Sequence, residues 1–514
     1  MSKKVKVTLL DIEEGRPEIT LTEADAEELG LHVKDRVRLT SDGKVAVGIV
    51  NIASKDLADG TVLVSHEISE SAGLTSGQTV ELAPARKPVS VAFIKKKMDK
   101  ETLSKDELLA IVKDVLENRL SETEIAAFIA ALYINEMTMD ETESLTRTLA
   151  ETGEIINFED RVIFDKHSIG GVPGNKVTLL IVPIVAAAGL TIPKTSSRAI
   201  TSASGTADTM EVLAPVTFNA EEIVSIVNRV NGIICWGGGV NLAPADDLFI
   251  KVEHPLALDP HNLALCSVMA KKIATGTNFL VIDLPMGNGT KIKDLEEAEK
   301  YALDFIELGK RIHIKTECLI TYGDKPVGRA VGPALEAQEA LRALEGEGPS
   351  SLIEKSTGIA GVLLEAGGAA ARGEGKKKAL EILRSGEALE KMKEIIAAQG
   401  GDPNVTSNDI KPGKFNARVL AESDGYVVNV SNKAVVDIAR AAGAPRAKGA
   451  GLLLLKSKGH SVRAGETLFE IYSDSKYMLD EAVKLARQNM PVSIEGMLIE
   501  RIPSYTVIDE PHDN

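Results

Sequence analysis

Two polar segments of the chain carry residue types that can bind an anion. The first runs from Lys166 to Lys176, reads KHSIGGVPGNK, and stands between a predicted strand and a predicted helix. A glycine-rich turn lets backbone N–H groups approach an anion, and the start of a helix adds a positive dipole end. Ammonium and hydroxyl donors come from Lys166, Lys176, Ser168 and Thr178. These residues alone are equally compatible with a tight structural turn whose lysines are solvated.

The second segment, from Ser196 to Glu211, reads SSRAITSASGTADTME and is dense in hydroxyl groups. Such a loop can surround an oxyanion with neutral donors while Arg198 adds a forked positive charge. The alternative is a Ser/Thr-rich loop that hydrogen-bonds to itself. Because both segments follow predicted strands, we expect them to converge at the carboxyl edge of one sheet, where open α/β sheets bind ligands.

The length and composition of the chain narrow the class of protein. Its 514 residues are enough for three or four domains, and a hydrophobic fraction of 44% is ample for a buried core. The formal charge of −16 argues against a nucleic-acid partner but does not exclude a small anionic substrate. The start of the chain lacks the apolar core of a signal peptide, and the longest apolar run, Val177 to Leu190, is too short to span a membrane.

Cysteine and histidine usage predicts a reducing compartment and no metal centre. Cys235, Cys266 and Cys318 are odd in number and widely spaced, so neither a disulfide framework nor a zinc pattern is expected. His254 and His261 lie close together in the chain but lack the further ligands of a metal site. We therefore expect a cytoplasmic protein with no metal and no membrane association.

The region from Met1 to about Ala85 is rich in short β patterns and contains an internal repeat. Gly30-Leu31 precedes Val37-Arg38-Leu39, and Gly73-Leu74 precedes Val80-Glu81-Leu82 at the same spacing. A duplicated β unit predicts a small pseudo-symmetric barrel. The alternative is that two unrelated turns precede two strands.

A helical module is predicted from Leu103 to Thr152, after a linker over Lys87 to Lys100. Capping boxes mark its helix starts at Ser104 with Glu107, Ser121 with Glu124, and Asp140 with Glu143. Apolar residues follow these boxes at helical spacing.

Further along, apolar runs alternate with glycine-bearing turns, which predicts an α/β layer with a parallel or mixed sheet. The predicted strands are Val162 to Phe164, Ile192 to Pro193, Ile233 to Cys235 and Phe279 to Leu284. The predicted helices are Val177 to Ala188, Ala220 to Val230, Asn262 to Lys272 and Asp294 to Leu308. After about Gly346 we expect a helical stretch, Lys376 to Ala398, and then β-rich sequence that includes Gly425 to Val430 and Thr467 to Ile471.

Several of these segments resemble the thymidine phosphorylase family. The matching stretches are SETEIAAFIAALYINEMTMDETESLT at Ser121 to Thr146, KHSIGGVPGNK, SSRAITSASGTADTMEVL, SVMAKK at Ser267 to Lys272, AAQGGDP at Ala397 to Pro403, and the closing β region from Asp424. The resemblance covers about Lys95 to Pro503. It implies an enzyme that cleaves the N-glycosidic bond of nucleosides with inorganic phosphate as co-substrate and without a cofactor, as a homodimer or a larger assembly of dimers.

The resemblance also implies the fold class, an α/β thymidine phosphorylase-like fold with a small α-helical domain and a large α/β domain. We expect an N-terminal β-barrel-like domain over residues 1–86 and a helical domain over residues 87–155 with 242–276. The α/β phosphate-binding domain is expected over residues 156–241 with 277–345, followed by a C-terminal α+β region over residues 346–514.

Position by position, the resemblance implies phosphate contacts from Lys166, Ser168, Thr178, Ser196 and Thr206, and base contacts from Ser267 and Lys271. The pyrimidine enzymes of the family read the base with a tyrosine and an arginine that precede the serine. The corresponding stretch here, Phe249 to Val252, reads FIKV and contains neither. Recognition of thymine or uracil of the usual kind is therefore not expected.

These departures resemble an archaeal branch of the family that cleaves nucleoside 5′-monophosphates, AMP among them and also CMP and UMP, to free base and ribose 1,5-bisphosphate. The shared features are VPGN, SSRAITS and an extra N-terminal domain. The resemblance then implies nucleotide contacts from Gly171, Ser197, Arg198, Ala199, Ile200, Thr201, Ser202, Thr206, Ser267 and Lys291, and a proton donor at Asp259.

Asp259 has two interpretations. Followed by Pro260 and a helical run, it has the position of a helix N-cap. As the acid that the resemblance implies, a partly desolvated aspartate would protonate the ring of the leaving purine.

The same residues are also compatible with other functions. One is a pyrimidine nucleoside phosphorylase, and another is a phosphoribosyltransferase of related fold, which would use pyrophosphate and Mg²⁺. A non-enzymatic nucleotide sensor would keep the anion-binding loops but would not need Asp259.

Overall fold

The computed structural model describes residues 2–10, 17–55, 57–200 and 202–498, which fall into two compact units. The first unit comprises Met1–Ile155 and Asn241–Ala274, and the second comprises Ile156–Val240 and Thr275–Asn514. Within these described ranges, each helix is too short or too polar to cross a lipid bilayer.

The first unit begins with a closed β-barrel. Its elements are β1 (Lys3–Leu9), β2 (Glu18–Thr22), α1 (Glu23–Leu29), β3 (Arg36–Ser41), β4 (Lys44–Ala53), β5 (Thr61–Val64), α2 (His66–Ala72) and β6 (Thr79–Pro84). The strands close in the order β1-β5-β2-β4-β3-β6. Alternate side chains point inward, and the barrel core includes Val5, Ile19, Val37 and Leu82.

The barrel consists of two equivalent halves, β1-β2-α1-β3 and β4-β5-α2-β6, as the sequence repeat predicts. β1 pairs in parallel with β5 as β4 does with β2, and β1 pairs antiparallel with β6 as β4 does with β3. The repeated glycines end the two helices. Gly30 and Gly73 each have a φ of 65°, a left-handed conformation that glycine adopts without strain.

A helical bundle completes the first unit. Its helices are α3 (Ser90–Met98), α4 (Lys105–Leu116), α5 (Glu122–Ile134), α6 (Met139–Glu151), and, later in the chain, α10 (Pro244–Leu256) and α11 (His261–Ala274). They share one apolar core that includes Phe128, Leu145, Phe249 and Leu263. The predicted linker over Lys87 to Lys100 is wrong, because most of it forms α3, which buries Ile94 in the same core.

The predicted capping boxes of α4 and α5 are confirmed at Ser104 with Glu107 and at Ser121 with Glu124. The third box is wrong by two residues. Thr138 caps α6 and exchanges hydrogen bonds with Glu141, so Asp140 and Glu143 lie within the helix. The buried ammonium of Lys97 fixes this register, since it donates to the two carboxylate oxygens of Glu141 at 2.9 and 3.1 Å.

Parallel strands form the centre of the second unit. They are β7 (Phe164–Ser168), β8 (Ile192–Ser196), β9 (Gly232–Trp236), β10 (Phe279–Met286) and β11 (Lys315–Tyr322). β10 lies between β7 and β11, β8 pairs with β9, and a bridge between Ile163 and Thr191 joins β7 to β8. The spatial order is therefore β11-β10-β7-β8-β9, with parallel pairings throughout. The carboxyl ends of β7 and β8 are neighbours, as the sequence predicts.

Two differences from the predicted strands matter for the site. β7 begins at Phe164 and continues to Ser168, so Lys166 and Ser168 lie on the strand rather than in the following turn. β11 was not expected, because polar and partly exposed side chains interrupt its apolar pattern along Lys315–Tyr322.

Helices cover this sheet. They are α7 (Thr178–Ala187), α8 (Thr206–Met210), α9 (Ala220–Val230), α12 (Leu295–Arg311), α13 (Pro333–Leu344), α14 (Ser350–Ala366), α15 (Gly375–Arg384) and α16 (Glu387–Ala398), and a 3₁₀ turn, Gly237–Gly239, follows β9. α7 is buried from Thr178 to Ala186, which explains its nearly continuous apolar sequence. The helical stretch predicted over Lys376 to Ala398 is confirmed, and Gly386, with a φ of 86°, divides it into α15 and α16.

The C-terminal α+β region contains β13 (Phe415–Leu420), β14 (Gly425–Val430), α17 (Asn432–Ala441), β15 (Gly451–Leu454), β16 (Ser461–Val462), β17 (Thr467–Ser473), α18 (Lys476–Gln488) and β18 (Val492–Glu495), and an earlier strand, β12 (Ala330–Val331), joins one of its sheets. The strand orders of its two sheets are β12-β15-β17-β13 and β16-β14-β18. Its apolar core includes Val435 and Ile438 of α17 together with Ala203, which belongs to the second polar segment. The region therefore packs directly against that segment.

Candidate active site

The end of β7 presents a lysine and a serine that are already joined. Lys166 is 3% exposed, and its Nζ donates to the Oγ of Ser168 at 3.1 Å. The hydroxyl of Ser168 donates in turn to Oδ2 of Asp283 on β10, at 2.7 Å. Because Lys166 and Ser168 are two residues apart on a strand, their side chains share one face of the sheet. They place an ammonium and a hydroxyl side by side at its carboxyl edge.

Asp283 connects this pair to the interior of the second unit. It is fully buried, and its Oδ1 accepts from the hydroxyl of Thr321 at 2.5 Å. Its Oδ2 lies 3.0 Å from Nζ of Lys355 on α14. A cavity of about 680 Å³ borders Thr321 and Lys355. Sequence reasoning missed Asp283, and the available signal was a single acid within the apolar run of β10.

The start of α7 carries a buried hydroxyl that lacks a partner. Thr178 is the first residue of the helix and is 1% exposed, and its Oγ1 has no hydrogen-bond partner among the described residues. Buried polar groups are nearly always hydrogen-bonded, so an unsatisfied hydroxyl at the start of a helix favours an anion-binding position.

Lys176 has a different role from the one its position in the loop predicts. Its Nζ is fully buried and donates to the Oε2 of Glu339 at 2.6 Å and to the carbonyl of Val327 at 3.0 Å. The ammonium is therefore neutralised within the fold. It holds the turn that precedes α7 in place rather than supplying charge to a ligand.

The first loop, Ile169–Asn175, touches a second glycine-bearing loop, Gly287–Lys291, which we call the glycine loop. Gly171 has a φ of 107°, and a Cβ at this position would lie 3.1 Å from the backbone nitrogen of Lys291. Close backbone approach thus requires glycine at position 171. Lys291 is exposed at the end of the glycine loop. The structure brings these two predicted site residues together.

The second polar segment forms what we call the serine loop, Ser197–Gly205, between β8 and α8. Ser196, the last residue of β8, donates from its Oγ to the carbonyl of Cys235 at 3.2 Å. The carboxylate of Asp208 accepts from the backbone N–H groups of Ala199 and Gly205 at 2.7 and 3.0 Å, which fixes the ends of the loop. Thr206 begins α8.

Some residues of this loop are more open. Ser197 and Ile200 are exposed, and Ser202 donates from its Oγ to the carbonyl of Ser204 at 3.1 Å. Part of the loop therefore hydrogen-bonds to itself, as the alternative interpretation of its composition predicts. The predicted contact residue Thr201 lies outside the described residues.

Arg198 is held by carboxylates of its own segment. Its two terminal nitrogens donate to the two oxygens of Glu211 at 2.7 and 2.6 Å, and its guanidinium lies 4.9 Å from the centre of the Trp236 ring. The Arg198 guanidinium lowers the pKa of Glu211 to about 2, against the opposing effect of partial burial and with the help of Lys448. The charge of Arg198 is thus compensated, and its role as a substrate donor stays a prediction.

The predicted base-contacting residues lie in the first unit, on α11. Oγ of Ser267 and Nζ of Lys271 both donate to Oδ2 of Asp246, at 2.7 and 2.6 Å. Burial acts to lower the pKa of the Lys271 ammonium, but the charges of Asp246 and Asp247 outweigh it and raise that pKa above its ordinary value. Lys271 is therefore a fixed cation. Sequence reasoning missed Asp246, which is 1% exposed and follows Pro244 in the first turn of α10.

Asp259 is exposed and lies two residues before the start of α11. Its roles as a helix cap and as a proton donor both stay predictions.

Comparison with known families places these features in a class. Residues 160–389 match the "Glycosyl transferase family, a/b domain", and residues 91–153 match the "Glycosyl transferase family, helical bundle domain". Residues 426–493 match the "Pyrimidine nucleoside phosphorylase C-terminal domain". The helical bundle, the sheet with its two polar loops and the C-terminal region are thus those of a glycosyl transferase of the nucleoside phosphorylase class.

Relatives that match along nearly the whole chain identify the family more narrowly. The chain is 49% identical over 506 residues to the AMP phosphorylase of Methanococcoides burtonii, covering 98% of this chain and 100% of that protein. It is 50% identical over 500 residues to the AMP phosphorylase of Thermococcus kodakarensis, covering 97% and 99% of the two chains. The chain therefore belongs to the AMP phosphorylase family.

A solved structure shares the fold of part of the chain. Anthranilate phosphoribosyltransferase from Thermus thermophilus superposes with a TM-score of 0.51 at 20% sequence identity, covering 60% of this chain and 98% of that one. This likeness concerns the fold alone.

Proposed function

We propose that this protein cleaves the N-glycosidic bond of AMP with inorganic phosphate, releasing adenine and ribose 1,5-bisphosphate. CMP and UMP are proposed as further substrates. The observation that carries the proposal is the pair of donor-rich loops that begin at the neighbouring ends of β7 and β8. A nucleotide and an attacking phosphate require two anion positions, and two such loops can supply them. The AMP phosphorylases that match along nearly the whole chain support the same substrate.

The first anion position is assigned to the attacking phosphate. Lys166 and Ser168 offer an ammonium and a hydroxyl that are held 3.1 Å apart, and Thr178 adds an unsatisfied buried hydroxyl at the start of α7. In the proposed reaction a phosphate oxygen bonds to the anomeric carbon while the bond to the base breaks. Fixing phosphate beside that carbon is the main contribution such residues can make, because the chemistry is limited by positioning.

The second anion position is assigned to the 5′-phosphate of the nucleotide. The serine loop, Thr206 and Lys291 are its proposed donors, and Gly171 lets the glycine loop approach the first loop closely. A nucleoside lacks this phosphate, so an enzyme for nucleosides would not need the donors of the serine loop and Lys291. We infer that they select nucleotides over nucleosides.

The leaving base is assigned to residues of α11 and the segment before it. Ser267 and Lys271 are proposed to contact the base, with Lys271 kept cationic by Asp246. The electron pair of the broken glycosidic bond goes to the purine ring, which is a better leaving group once it takes a proton. Asp259 is proposed to donate that proton.

The quaternary structure is also a proposal. We infer a homodimer or a larger assembly of dimers, with AMP and phosphate as ligands and no nucleic-acid partner. The net charge of −16 supports the last point, since a polyanion would be repelled. Cytoplasmic localisation is inferred from the cysteine content and spacing.

The test is a phosphorolysis assay with AMP, CMP, UMP, thymidine and uridine, with identification of the sugar product. We expect phosphate-dependent base release from AMP with ribose 1,5-bisphosphate as the product. Faster turnover of thymidine or uridine would instead identify a pyrimidine nucleoside phosphorylase. Activity that is lost in EDTA and depends on pyrophosphate would identify a phosphoribosyltransferase. Binding of AMP without any base release would identify a nucleotide sensor.

A further inference from the structure

We propose that Arg440 and Asn432, at the two ends of α17 in the C-terminal region, are positioning residues that hold the two nucleotide-binding loops in their working geometry. The proposal rests on the proposed function for the identity of the ligand. The contacts on which it depends all lie within the second unit.

Arg440 holds the serine loop by its backbone. Its Nη1 donates to the carbonyl of Ile200 at 3.0 Å and to the carbonyl of Ser202 at 3.1 Å. Because a trans peptide is planar, the N–H of the peptide between Ser202 and Ala203 points away from Arg440. One guanidinium group therefore sets the direction of a donor in the loop without itself contacting a ligand.

The same helix also receives the apolar anchor of the serine loop. Ala203 is 1% exposed and packs in the core to which α17 contributes Val435 and Ile438. By contrast, the side chain of Ile200 is 46% exposed. The tip of the loop is thus attached to α17 at two kinds of contact, a polar one at Arg440 and an apolar one at Ala203.

Asn432 holds the glycine loop at the other end of α17. It is 2% exposed, and its Nδ2 donates to the carbonyl of Gly323 at 2.8 Å and to the carbonyl of Asn288 at 3.3 Å. A Cβ at Gly289 would lie 3.3 Å from the Cβ of Asn432, so the loop packs directly on this side chain. The Oδ1 of Asn432 has no hydrogen-bond partner among the described residues. The amide therefore holds the glycine loop through the two hydrogen bonds that its Nδ2 donates.

The effect of Asn432 extends to the first loop. The glycine loop packs against Gly171. A Cβ at Gly171 would lie 3.2 Å from the Cα of Thr290 and 3.1 Å from the backbone nitrogen of Lys291. α17 therefore braces the loops that follow β8 and β10, which are separated in the sheet by β7. The C-terminal region is in this respect a part of the nucleotide site.

The first test uses Arg440→Gln in the full-length protein. We expect the KM for AMP to rise about tenfold while the KM for phosphate changes less than about threefold, with the melting temperature close to that of the wild type. Arg440→Lys keeps one nitrogen donor, so its KM for AMP should lie between those of the wild type and of Arg440→Gln. The matched control is Arg487→Gln, an exposed arginine in the last turn of α18, which should leave all these values unchanged. An unchanged KM for AMP in a stably folded Arg440→Gln variant would refute the positioning role, as would an equal rise in both KM values.

The second test measures hydrogen exchange and does not require turnover. Arg440→Gln should speed exchange in residues 198–204 and leave residues 287–291 unaffected, whereas Asn432→Ala should do the reverse. If either variant sped hydrogen exchange equally in both segments, the substitution would have destabilised the fold in general, and the proposal would be overturned. If the wild-type protein does not cleave AMP, the proposed function fails, while the exchange pattern still decides whether α17 positions these loops.

Discussion

The hydroxyl of Ser168 donates to the buried carboxylate of Asp283 on the adjacent strand, with 2.7 Å between the two oxygens. The two residues are in register in the pairing of β7 with β10. Asp283 also pairs with Lys355, which comes from a helix that covers the sheet. The orientation of this predicted phosphate ligand is thus set from inside the second unit, by residues that the loop sequence does not contain.

Asp283→Asn should therefore raise the KM for phosphate about tenfold and leave the KM for AMP nearly unchanged. The amide cannot hold both Ser168 and Lys355 as the carboxylate does, so the hydroxyl loses its fixed direction. Steady-state kinetics with each substrate varied in turn will measure the split. Thr321→Val, which removes another bond to Asp283 but leaves its charge, is the matched control and should change the phosphate KM less than about threefold. A normal phosphate KM in a folded Asp283→Asn variant would contradict this role.

Asp259→Asn should lower kcat by about 10²–10⁴ and keep the affinity for AMP within about threefold. The reason is that asparagine can still cap a helix but cannot donate a proton from a carboxylic acid. Stopped-time assays and calorimetric titration with AMP will separate turnover from binding. Asp294→Asn, at the observed N-cap of α12, is the control for capping alone and should leave kcat unchanged. A wild-type kcat in Asp259→Asn would leave the cap as its only function.

Glu336 should make the stability of the protein depend on pH. Burial raises the pKa of this carboxyl group to about 7, although the charge of Lys176 and the N–H of Gly332 act to lower it. Between pH 4.5 and about 7, Glu336 therefore stays protonated in the folded protein but is ionised in the unfolded chain, where its pKa has the ordinary value of 4.5. This stabilisation is complete below pH 4.5 and is lost as the pH rises through 7, a change of roughly 3 kcal/mol.

Glu336→Gln removes this titration and keeps the shape of the side chain. The melting temperature of the variant relative to the wild type should therefore increase between about pH 5 and pH 8. Calorimetric scans at several pH values will measure the difference. Glu347→Gln, at an exposed position just beyond α13, should give a constant difference. A constant difference for Glu336→Gln as well would mean that Glu336 is ionised throughout.

Lys97→Met should destabilise the helical bundle. The Lys97 and Glu141 side chains are 3% and 2% exposed, so the variant leaves the carboxylate charge buried and unpaired. Breaking such a pair costs about 3–5 kcal/mol, which should appear as a lower melting temperature. Lys97→Met combined with Glu141→Leu should recover part of the loss, and Lys95→Met at an exposed neighbouring position should be neutral. A single variant as stable as the wild type would show that the ion pair is dispensable.

Much of the local structure follows from residues that act on their own neighbours. α9 spans Ala220–Val230 as predicted, because Asn219 caps its start and Asn231, in a left-handed conformation, ends it. The pseudo-symmetric barrel is visible in the sequence as a repeated spacing, and the structure shows that its two glycines, Gly30 and Gly73, end equivalent helices. Such signals need no knowledge of distant contacts.

The residues that organise the candidate site could not be predicted in this way. Asp283 and Asp246 are single acids whose partners are 115 and 21 residues away in the chain, at Ser168 and Ser267. Lys176 has the position of an anion ligand in its loop, and only the approach of Glu339 on α13 neutralises it. Local pattern therefore located the loops, while tertiary contacts decided which of their side chains are free to bind a ligand.

The pairing scheme of the N-terminal barrel has a consequence for how such a domain can be assembled. Within the described residues, each strand of one half pairs only with strands of the other half. A fragment cut between Ser41 and Lys44 would have no sheet of its own, since all its hydrogen-bonding partners would be on the other fragment. Two copies of one half, however, present to each other the same strand edges that the two halves present in the barrel. The geometry is therefore that of a dimer of short peptides whose subunits have been joined into one chain.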